Sequence, residues 1–226
     1  MDFISNLVIQ VIQTLYHFLG SVGFPNYGLA IVLMTIIIKI ILFPLTKKQI
    51  ESTRAMMSIQ PKMKEIQEKY KNDKVRLNQE LARLYQEQGV NPMAGCLPLL
   101  VQMPILFGIY YAVRDFQYEG PANFLWMENI ANPDPMYILP IVSALTTYIQ
   151  AKQTMPPKKV GDKGQDGIMG MMQGQMMTYF MPLFIGYISL SFPAALVLYW
   201  IVMNIMQIAQ QAYINSQMDR KSNRFL

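Results

Sequence analysis

The chain has 226 residues, of which 52% are hydrophobic and 15% are charged, whereas about 25% of residues are charged in an ordinary soluble domain. Its single cysteine, Cys96, and its single histidine, His17, exclude internal disulfides and Cys/His metal centres. Because the charges cluster and leave long apolar blocks, the composition predicts an all-α integral membrane protein. The net charge of +5 then fits the cytoplasmic bias of Lys and Arg, and we expect no sequence-specific binding of nucleic acid.

The first apolar block covers residues 3–19 and carries a polar stripe. Its polar side chains recur at spacings of four, three and four residues, which places them on one helix face: Asn6, Gln10, Gln13 and His17. The basic n-region and small-residue cleavage site of a signal peptide are not evident. We therefore predict that residues 1–23 form an amphipathic helix that lies in the membrane interface and is not a span.

Five further blocks are apolar enough to cross the membrane, since a hydrocarbon core of about 30 Å needs roughly 20 helical residues. They cover residues 28–46, 92–113, 137–150, 176–190 and 194–214. We assign residues 24–226 to one five-helix domain. Within it, the segment 47–91 is strongly polar, and the segment 156–170, rich in Pro, Gly and Lys, is predicted to be a flexible cytoplasmic loop.

The polar segment 47–91 has an apolar rhythm of its own. Two sets of residues recur at helical spacing: Ile59, Met63, Ile66 and Tyr70, then Leu77, Leu81 and Leu84. Between them, Asn72 or Asp73 can cap a second helix, and Pro61 suits the first turn of the first helix. The segment is therefore predicted to be an antiparallel helical hairpin on the cytoplasmic side.

The distribution of positive charge predicts the orientation. Every Lys and Arg except Lys39 and Arg114 lies in 47–91, in 152–163 or in the tail after residue 214. Since such residues are retained in the cytoplasm, these three segments are placed there. With five spans, the N-terminus then lies outside and the C-terminus in the cytoplasm.

Lys39 is an ionisable residue inside the first predicted span. Placing a charge in hydrocarbon costs roughly 2.5–3.5 kcal/mol on insertion scales, so such groups usually face protein or a wet cavity. No Asp or Glu lies in any predicted span to pair with Lys39. Snorkelling of the long side chain to the inner headgroups is an alternative that the sequence leaves open.

Polar residues on the predicted spans favour the wet cavity. They fall at helical spacing along the first, third and fifth spans, with one glutamine in the second: Thr35, Gln102, Ser143, Thr147, Gln150, Trp200, Asn204, Gln207 and Gln211. Hydrogen bonding between helices, worth about 0.6 kcal/mol per pair, would also explain them. Together with Lys39 they predict a hydrophilic groove with an unbalanced positive charge, which would attract acidic groups on a bound partner.

Motifs of enzyme chemistry are absent from the sequence. It has no G-x-x-x-x-G-K-[ST] phosphate loop and no H-E-x-x-H zinc motif, so we predict no enzyme, no catalytic residue, no metal and no cofactor. A small-solute or ion transporter would also use a polar cavity, but transporters usually show paired ionisable groups and an internal repeat, which we do not find. A third interpretation is an assembly scaffold that acts with a translocon.

Five stretches, in this order and at this spacing, carry a family resemblance. They are GLAIVLMTIIIKIILFPLTKKQ (28–49), QPKMKEIQEKY (60–70), NPMAGCLPLLVQMPILFGIYYAV (91–113), DPMYILPI (134–141) and FPAALVLYWIVMNIMQIAQQ (192–211). On these stretches the chain resembles the YidC/Oxa1/Alb3 family of membrane protein insertases, in its short bacterial form. The resemblance implies a multi-pass protein of the bacterial plasma membrane, with five spans around a groove that opens to the cytoplasm and is closed outside.

The resemblance also implies site residues and partners. The family has a basic residue in its groove, commonly Arg, which matches Lys39, and groove-lining positions that match Gln150 and Trp200. It implies that the protein inserts nascent membrane proteins into the lipid bilayer and helps them fold, alone or with the Sec translocon. The ribosome and the signal-recognition receptor are further implied partners, and the hairpin at 47–91 matches the family's hairpin for partner contact.

Overall fold

The structure, a computed structural model, describes residues 2–91, 97–115, 120–154 and 176–222. Its helices are α1 (Asp2–Ser21), α2 (Tyr27–Ile41), α3 (Phe43–Lys69), α4 (Lys74–Glu87), α5 (Leu97–Asp115), α6 (Ile138–Gln153), α7 (Met181–Ser189) and α8 (Ala194–Ser222). A π-helical turn, Met176–Phe180, leads directly into α7. The prediction of an all-α fold is confirmed for the described residues, whereas the predicted loop 156–170 and Cys96 lie outside them.

The chain divides into two compact units, one formed by Met1–Phe43 with Gln102–Leu226 and the other by Pro44–Val101. Among the described residues, α1 and α8 are each long and apolar enough to cross a membrane, and a third span results if α2 and α3 are counted together. The arrangement of five spans therefore stays a prediction. Because α1 meets this criterion, its length and composition do not separate a span from an interfacial helix, and its interfacial placement also stays a prediction.

In the first unit, α1 packs against α2. Val8, Ile12 and Leu19 are buried on the packed face, and the Tyr16 ring stacks on the Tyr27 ring with centroids 3.9 Å apart. Of the predicted polar stripe, Asn6, Gln10 and His17 are exposed and Gln13 is half-buried. The stripe therefore lies mostly away from the packed face of α1.

The central helix of the first unit is α8. Residues 194–199 are all buried, and α8 packs against both α2 and α6, while α6 also packs against α7. The first amides of a helix lack intrahelical partners. Here the loop before α6 supplies them, because Asn132 O accepts from Ala194 N at 2.8 Å and Ile130 O accepts from Ala195 N at 2.9 Å.

The predicted apolar block 28–46 is divided at Leu42, where α2 ends and α3 follows. Pro44, in the first turn of α3, favours a break at this position without requiring one, since Pro61 lies inside the same helix. Proline has no N–H to donate to the carbonyl of residue 40, four positions earlier, and its ring crowds that carbonyl. Helical hydrogen bonding therefore cannot continue unbroken through this point, although both flanking sequences are apolar.

The second unit contains α3 and α4. Asp73 Oδ1 accepts a hydrogen bond from Arg76 N at 3.0 Å, which confirms that Asp73 caps α4. Tyr85 Oη lies 3.9 Å from Met63 Sδ, so side chains of the two helices meet across the short turn between them. The placement of Pro61 in the first turn was wrong, because α3 begins at Phe43 and Pro61 lies in its interior.

Candidate functional site

The ammonium group of Lys39 is bound by a neutral side chain. Lys39 lies in the last turn of α2 and is half-buried. Its Nζ donates to Gln207 Oε1 at 2.8 Å. Gln210, one turn further along α8, donates from Nε2 to the main-chain oxygen of Lys39 at 3.0 Å. Two glutamines of α8 therefore hold both the side chain and the backbone of Lys39.

A second polar cluster joins α6 to α8. Asn204 is 1% exposed, and its Nδ2 donates to Thr147 Oγ1 at 2.9 Å and to Thr146 Oγ1 at 3.3 Å. Both threonines belong to α6, and the buried Thr146 also donates to Val142 O at 2.9 Å. Asn204 was predicted to line the groove, but its side chain takes part in hydrogen bonding between helices. For this residue, interhelical hydrogen bonding explains the polar stripe without a wet cavity.

A third cluster joins α6 to α7. Ser143 is fully buried, and its Oγ lies 3.2 Å from Ser189 Oγ and donates to Pro140 O at 2.8 Å. Ser189 donates in turn to Ile185 O at 2.7 Å. Ser143 thus packs α6 against α7 and has no direct bond to Lys39.

The remaining predicted residues occupy varied positions. Thr35 is 1% exposed and donates to Ile31 O of its own helix at 2.7 Å. Gln102 is half-buried, and its Nε2 donates to Tyr199 Oη at 2.8 Å. Gln150 and Trp200 are half-buried. Of the nine predicted residues, the structure brings Gln207 into direct contact with Lys39 and places Thr35 in the packed core.

The polar stripe on α8 serves two neighbours. Gln207 and Gln210 reach α2, whereas Asn204 and Gln211 reach α6, where Gln211 Nε2 donates to Gln153 O at 3.1 Å. The predicted stripe included Gln211 and omitted Gln210. Helical spacing could have identified Gln210, because residues three and four apart lie on the same helix face and Gln210 follows Gln207 by three positions.

Sequence reasoning also missed Thr146, Ser189 and Tyr199 as polar partners. Tyr199 was read as part of an apolar run, although its hydroxyl accepts from Gln102. Within the described residues, no three His, Cys, Asp or Glu side chains come together as metal ligands would. The candidate site therefore consists of Lys39 with two glutamines of α8, and the other polar clusters join helix to helix.

The loop before α6 is organised around Asp134, which is 3% exposed. Three donors converge on its carboxylate: Trp126 Nε1 at 2.8 Å, Met136 N at 3.0 Å and Leu139 N at 2.7 Å. Burial alone raises the pKa of Asp134, but these hydrogen bonds outweigh it and hold the pKa below its usual value. Sequence analysis gave this residue no role.

Comparison with known proteins places these helices in a family of bacterial membrane proteins. Residues 17–221 match the family described as 60Kd inner membrane protein. The chain is 45% identical over 206 residues to Membrane protein insertase YidC 2 of Bacillus anthracis, covering 89% of this chain and 76% of the relative. It is 40% identical over 225 residues to Membrane protein insertase MisCA of Bacillus subtilis, covering 98% and 82%. The chain therefore belongs to the YidC/Oxa1 family of membrane protein insertases.

Two further matches show the limits of coverage. A Membrane protein insertase YidC 2 of Listeria innocua is 46% identical over 200 residues, and the match spans 87% of this chain and 66% of the relative. The solved structure titled "Active YidC insertase crystal structure with the first transmembrane domain resolved" matches with a TM-score of 0.64 and 27% identity. That match covers 92% of this chain and 45% of the solved chain.

Family membership confirms two predictions: the resemblance to the family and the assignment of the chain to the membrane proteins. The groove-lining roles of individual residues, the orientation and the partners stay predictions.

Proposed function

We propose that this protein inserts nascent membrane proteins into the bacterial plasma membrane and helps them fold. One observation carries the proposal: Lys39 bonds to a neutral amide, Gln207 Oε1, at 2.8 Å, and none of the predicted spans contains an Asp or Glu. The cation is therefore not cancelled by an acidic residue of its own bundle. Its charge is available to a client.

The attraction acts on acidic residues in the hydrophilic tail of a client span. Two unit charges about 4 Å apart attract by about 1 kcal/mol in bulk water and about 4 kcal/mol at an effective dielectric constant near 20. A half-buried Lys39 thus attracts a carboxylate more strongly than an exposed lysine does. Of the predicted groove residues, the half-buried ones supply hydrogen-bonding groups to the tail as it crosses: Gln102, Thr147, Gln150, Trp200 and Gln207. The buried Thr35, Ser143 and Asn204 bond within the protein instead.

The proposed architecture places these residues in a groove among five spans, open to the cytoplasm and closed outside. The N-terminus lies outside and the C-terminus in the cytoplasm, with α1 in the interface. A groove of this kind shortens the polar path through the bilayer, after which the client span moves into lipid. The distribution of Lys and Arg along the sequence supports this orientation.

The proposed partners are nascent membrane proteins, with the Sec translocon as a co-worker. We propose the ribosome and the signal-recognition receptor as partners on the cytoplasmic side, where the hairpin at 47–91 supplies the contact. Its exposed cations at the turn between α3 and α4, Lys69, Lys71, Lys74 and Arg76, support this assignment.

The test is insertion of a single-span client with an acidic tail into liposomes that contain only the purified protein. We expect Lys39→Arg to insert this client and Lys39→Glu to lose most of the activity, because the reversed charge repels the tail. Lys152→Glu, the same change at an exposed lysine in the last turn of α6, is the control and is expected to insert normally. Normal insertion by Lys39→Glu would contradict the proposal.

The same liposomes separate insertion from the alternative functions. An assembly scaffold would show no insertion without a translocon. A small-solute or ion transporter would show flux or conductance in the absence of a client, and neither is expected.

A further inference from the structure

The side chain that accepts a hydrogen bond from the Lys39 ammonium group is a neutral amide. An ammonium group only donates hydrogen bonds, so the Gln207 amide must present its oxygen to Lys39, and the two atoms are 2.8 Å apart. A carboxylate in the place of this amide would bond more strongly but would also cancel the charge. Glutamine orients the ammonium and leaves its net charge intact.

Gln210 fixes the backbone on which this contact depends. It is 8% exposed, and its Nε2 donates to the main-chain oxygen of Lys39 at 3.0 Å. Its own Oε1 is buried and has no hydrogen-bond partner among the described residues. A leucine or methionine would pack here without burying such an oxygen, so packing alone does not account for a glutamine at this position.

Resting on the proposed function, we infer that Gln207 determines the charge selectivity of insertion by acting as a displaceable neutral partner of Lys39, with Gln210 as the positioning residue. A client carboxylate replaces Gln207 Oε1 on the ammonium, because a charge-assisted hydrogen bond is stronger than one to a neutral amide. A neutral client tail gains no such advantage. The site therefore prefers clients with Asp or Glu in the translocated tail.

The preference is measured as a ratio of two insertion rates. The clients are one single-span protein with two Asp residues in its hydrophilic tail and the same protein with Asn at both positions. The purified full chain in liposomes inserts each, and the acidic-to-neutral ratio is insensitive to the amount of active protein. Wild type is expected to give a ratio above unity.

Three substitutions at position 207 and at a control position test the role of Gln207. Gln207→Glu places a carboxylate beside Lys39 and is expected to abolish the preference. Gln207→Met removes the acceptor that orients the ammonium but leaves its charge uncancelled, and is expected to give a ratio lower than wild type that stays above unity. Gln217→Glu adds the same charge at an exposed glutamine of α8 that bonds to Tyr213 Oη, and is expected to retain the wild-type ratio.

Gln210 is tested against a matched glutamine of α6. Gln210→Met releases the main-chain oxygen of Lys39 and is expected to lower the ratio. Gln153→Met removes an amide whose Oε1 is likewise buried without a hydrogen-bond partner among the described residues, and the ratio is expected to remain at wild type. Equal ratios for the two variants would reduce Gln210 to a packing residue. Thermal melting of every variant shows that it is folded.

The outcomes separate this inference from the function on which it rests. If wild type prefers the acidic client and Gln207→Glu keeps that preference, the role of Gln207 is wrong and the insertase function stands. If wild type inserts both clients at equal rates, charge selectivity at Lys39 is overturned. If wild type inserts neither client, the proposed function fails as well.

Discussion

Asp134 links the loop before α6 to the first turn of that helix through the indole and two amides that it accepts from. Asp134→Asn keeps one acceptor oxygen but replaces the other by an NH2 group. This group is a donor and faces N–H groups that themselves need an acceptor. We expect it to destabilise the protein by about 1–3 kcal/mol, the usual cost of leaving a buried polar group unpaired. Thermal unfolding in detergent measures the change. Glu128→Gln, at an exposed acid of the same loop, is expected to melt like wild type.

The lowered pKa of Asp134 also predicts a pH dependence. A carboxyl whose pKa is lower in the folded state than in the unfolded state contributes stability at pH values above its unfolded pKa. That contribution is lost as the pH falls through the folded pKa. The difference in melting temperature between wild type and Asp134→Asn should therefore be constant near neutral pH and shrink below about pH 4. A difference that grows on acidification would contradict the assignment.

Gly28 shows how closely the same loop packs on the start of α2. Gly28 is buried, and a Cβ at this position would overlap the ring of Phe124. Gly28→Ala is therefore expected to destabilise the protein by about 1–3 kcal/mol through overpacking. Unfolding of the purified protein measures the effect, and Phe124→Ala in the same chain should relieve part of it.

A matched glycine in α1 provides the control for this change. A Cβ at Gly20 would meet its nearest neighbour, Pro25 Cβ, at 3.7 Å, which is ordinary contact. Gly20→Ala should be neutral or slightly stabilising, because alanine favours a helix over glycine by about 1 kcal/mol. A loss of stability at Gly20 equal to that at Gly28 would show that the overlap with Phe124 is not the cause.

At the scale of elements, the contact between α6 and α8 depends on a buried amide and two hydroxyls. We expect a double-mutant cycle with Asn204→Leu and Thr147→Val to give a coupling energy of about 0.6 kcal/mol, the average for such pairs in membranes, and at most about 1.7 kcal/mol. The measurement is unfolding of the four proteins in the same detergent. Zero coupling would mean that the Asn204 amide relies on Thr146 alone.

The elements with strong periodicity were predictable from the sequence. The apolar block 194–214 became most of α8, and block 137–150 became most of α6, because each combines length with the absence of acidic residues. The cap at Asp73 was also predictable, since a short acceptor side chain ahead of an apolar rhythm satisfies the first amides of a helix. In these cases, local chemistry alone determines the outcome.

The features that the sequence did not predict have two causes. One is the local effect of single prolines, and the other is contact between helices that are distant in sequence. The division at Leu42 lies two residues before Pro44, and a hydropathy count does not register the lost backbone donor of a proline. Pro61 lies inside α3, because flanking helix can continue on both sides of a single lost hydrogen bond. The contact between Gln207 and Lys39 joins residues far apart in the chain, so spacing identified one face of α8 without showing which helix it meets.

At the scale of the whole molecule, the distribution of charge sets Lys39 apart from the other cations. Nearly all cations lie in the polar segments, and one, Lys39, lies among apolar residues of α2. Family membership assigns the protein to the insertases. What the described residues add is the neutral surroundings of that residue, because Gln207 accepts from its ammonium group and Gln210 donates to its main-chain oxygen.

The central claim is that a client span passes the polar face of α8 next to Lys39. It is tested most directly by placing a photoactivatable crosslinker at Trp200 and stalling a single-span client with an acidic tail on the ribosome. The control position is Leu183, 72% exposed on α7. We expect adducts to the client from position 200 and few from position 183. Equal adducts from both positions, or adducts from position 183 alone, would contradict it.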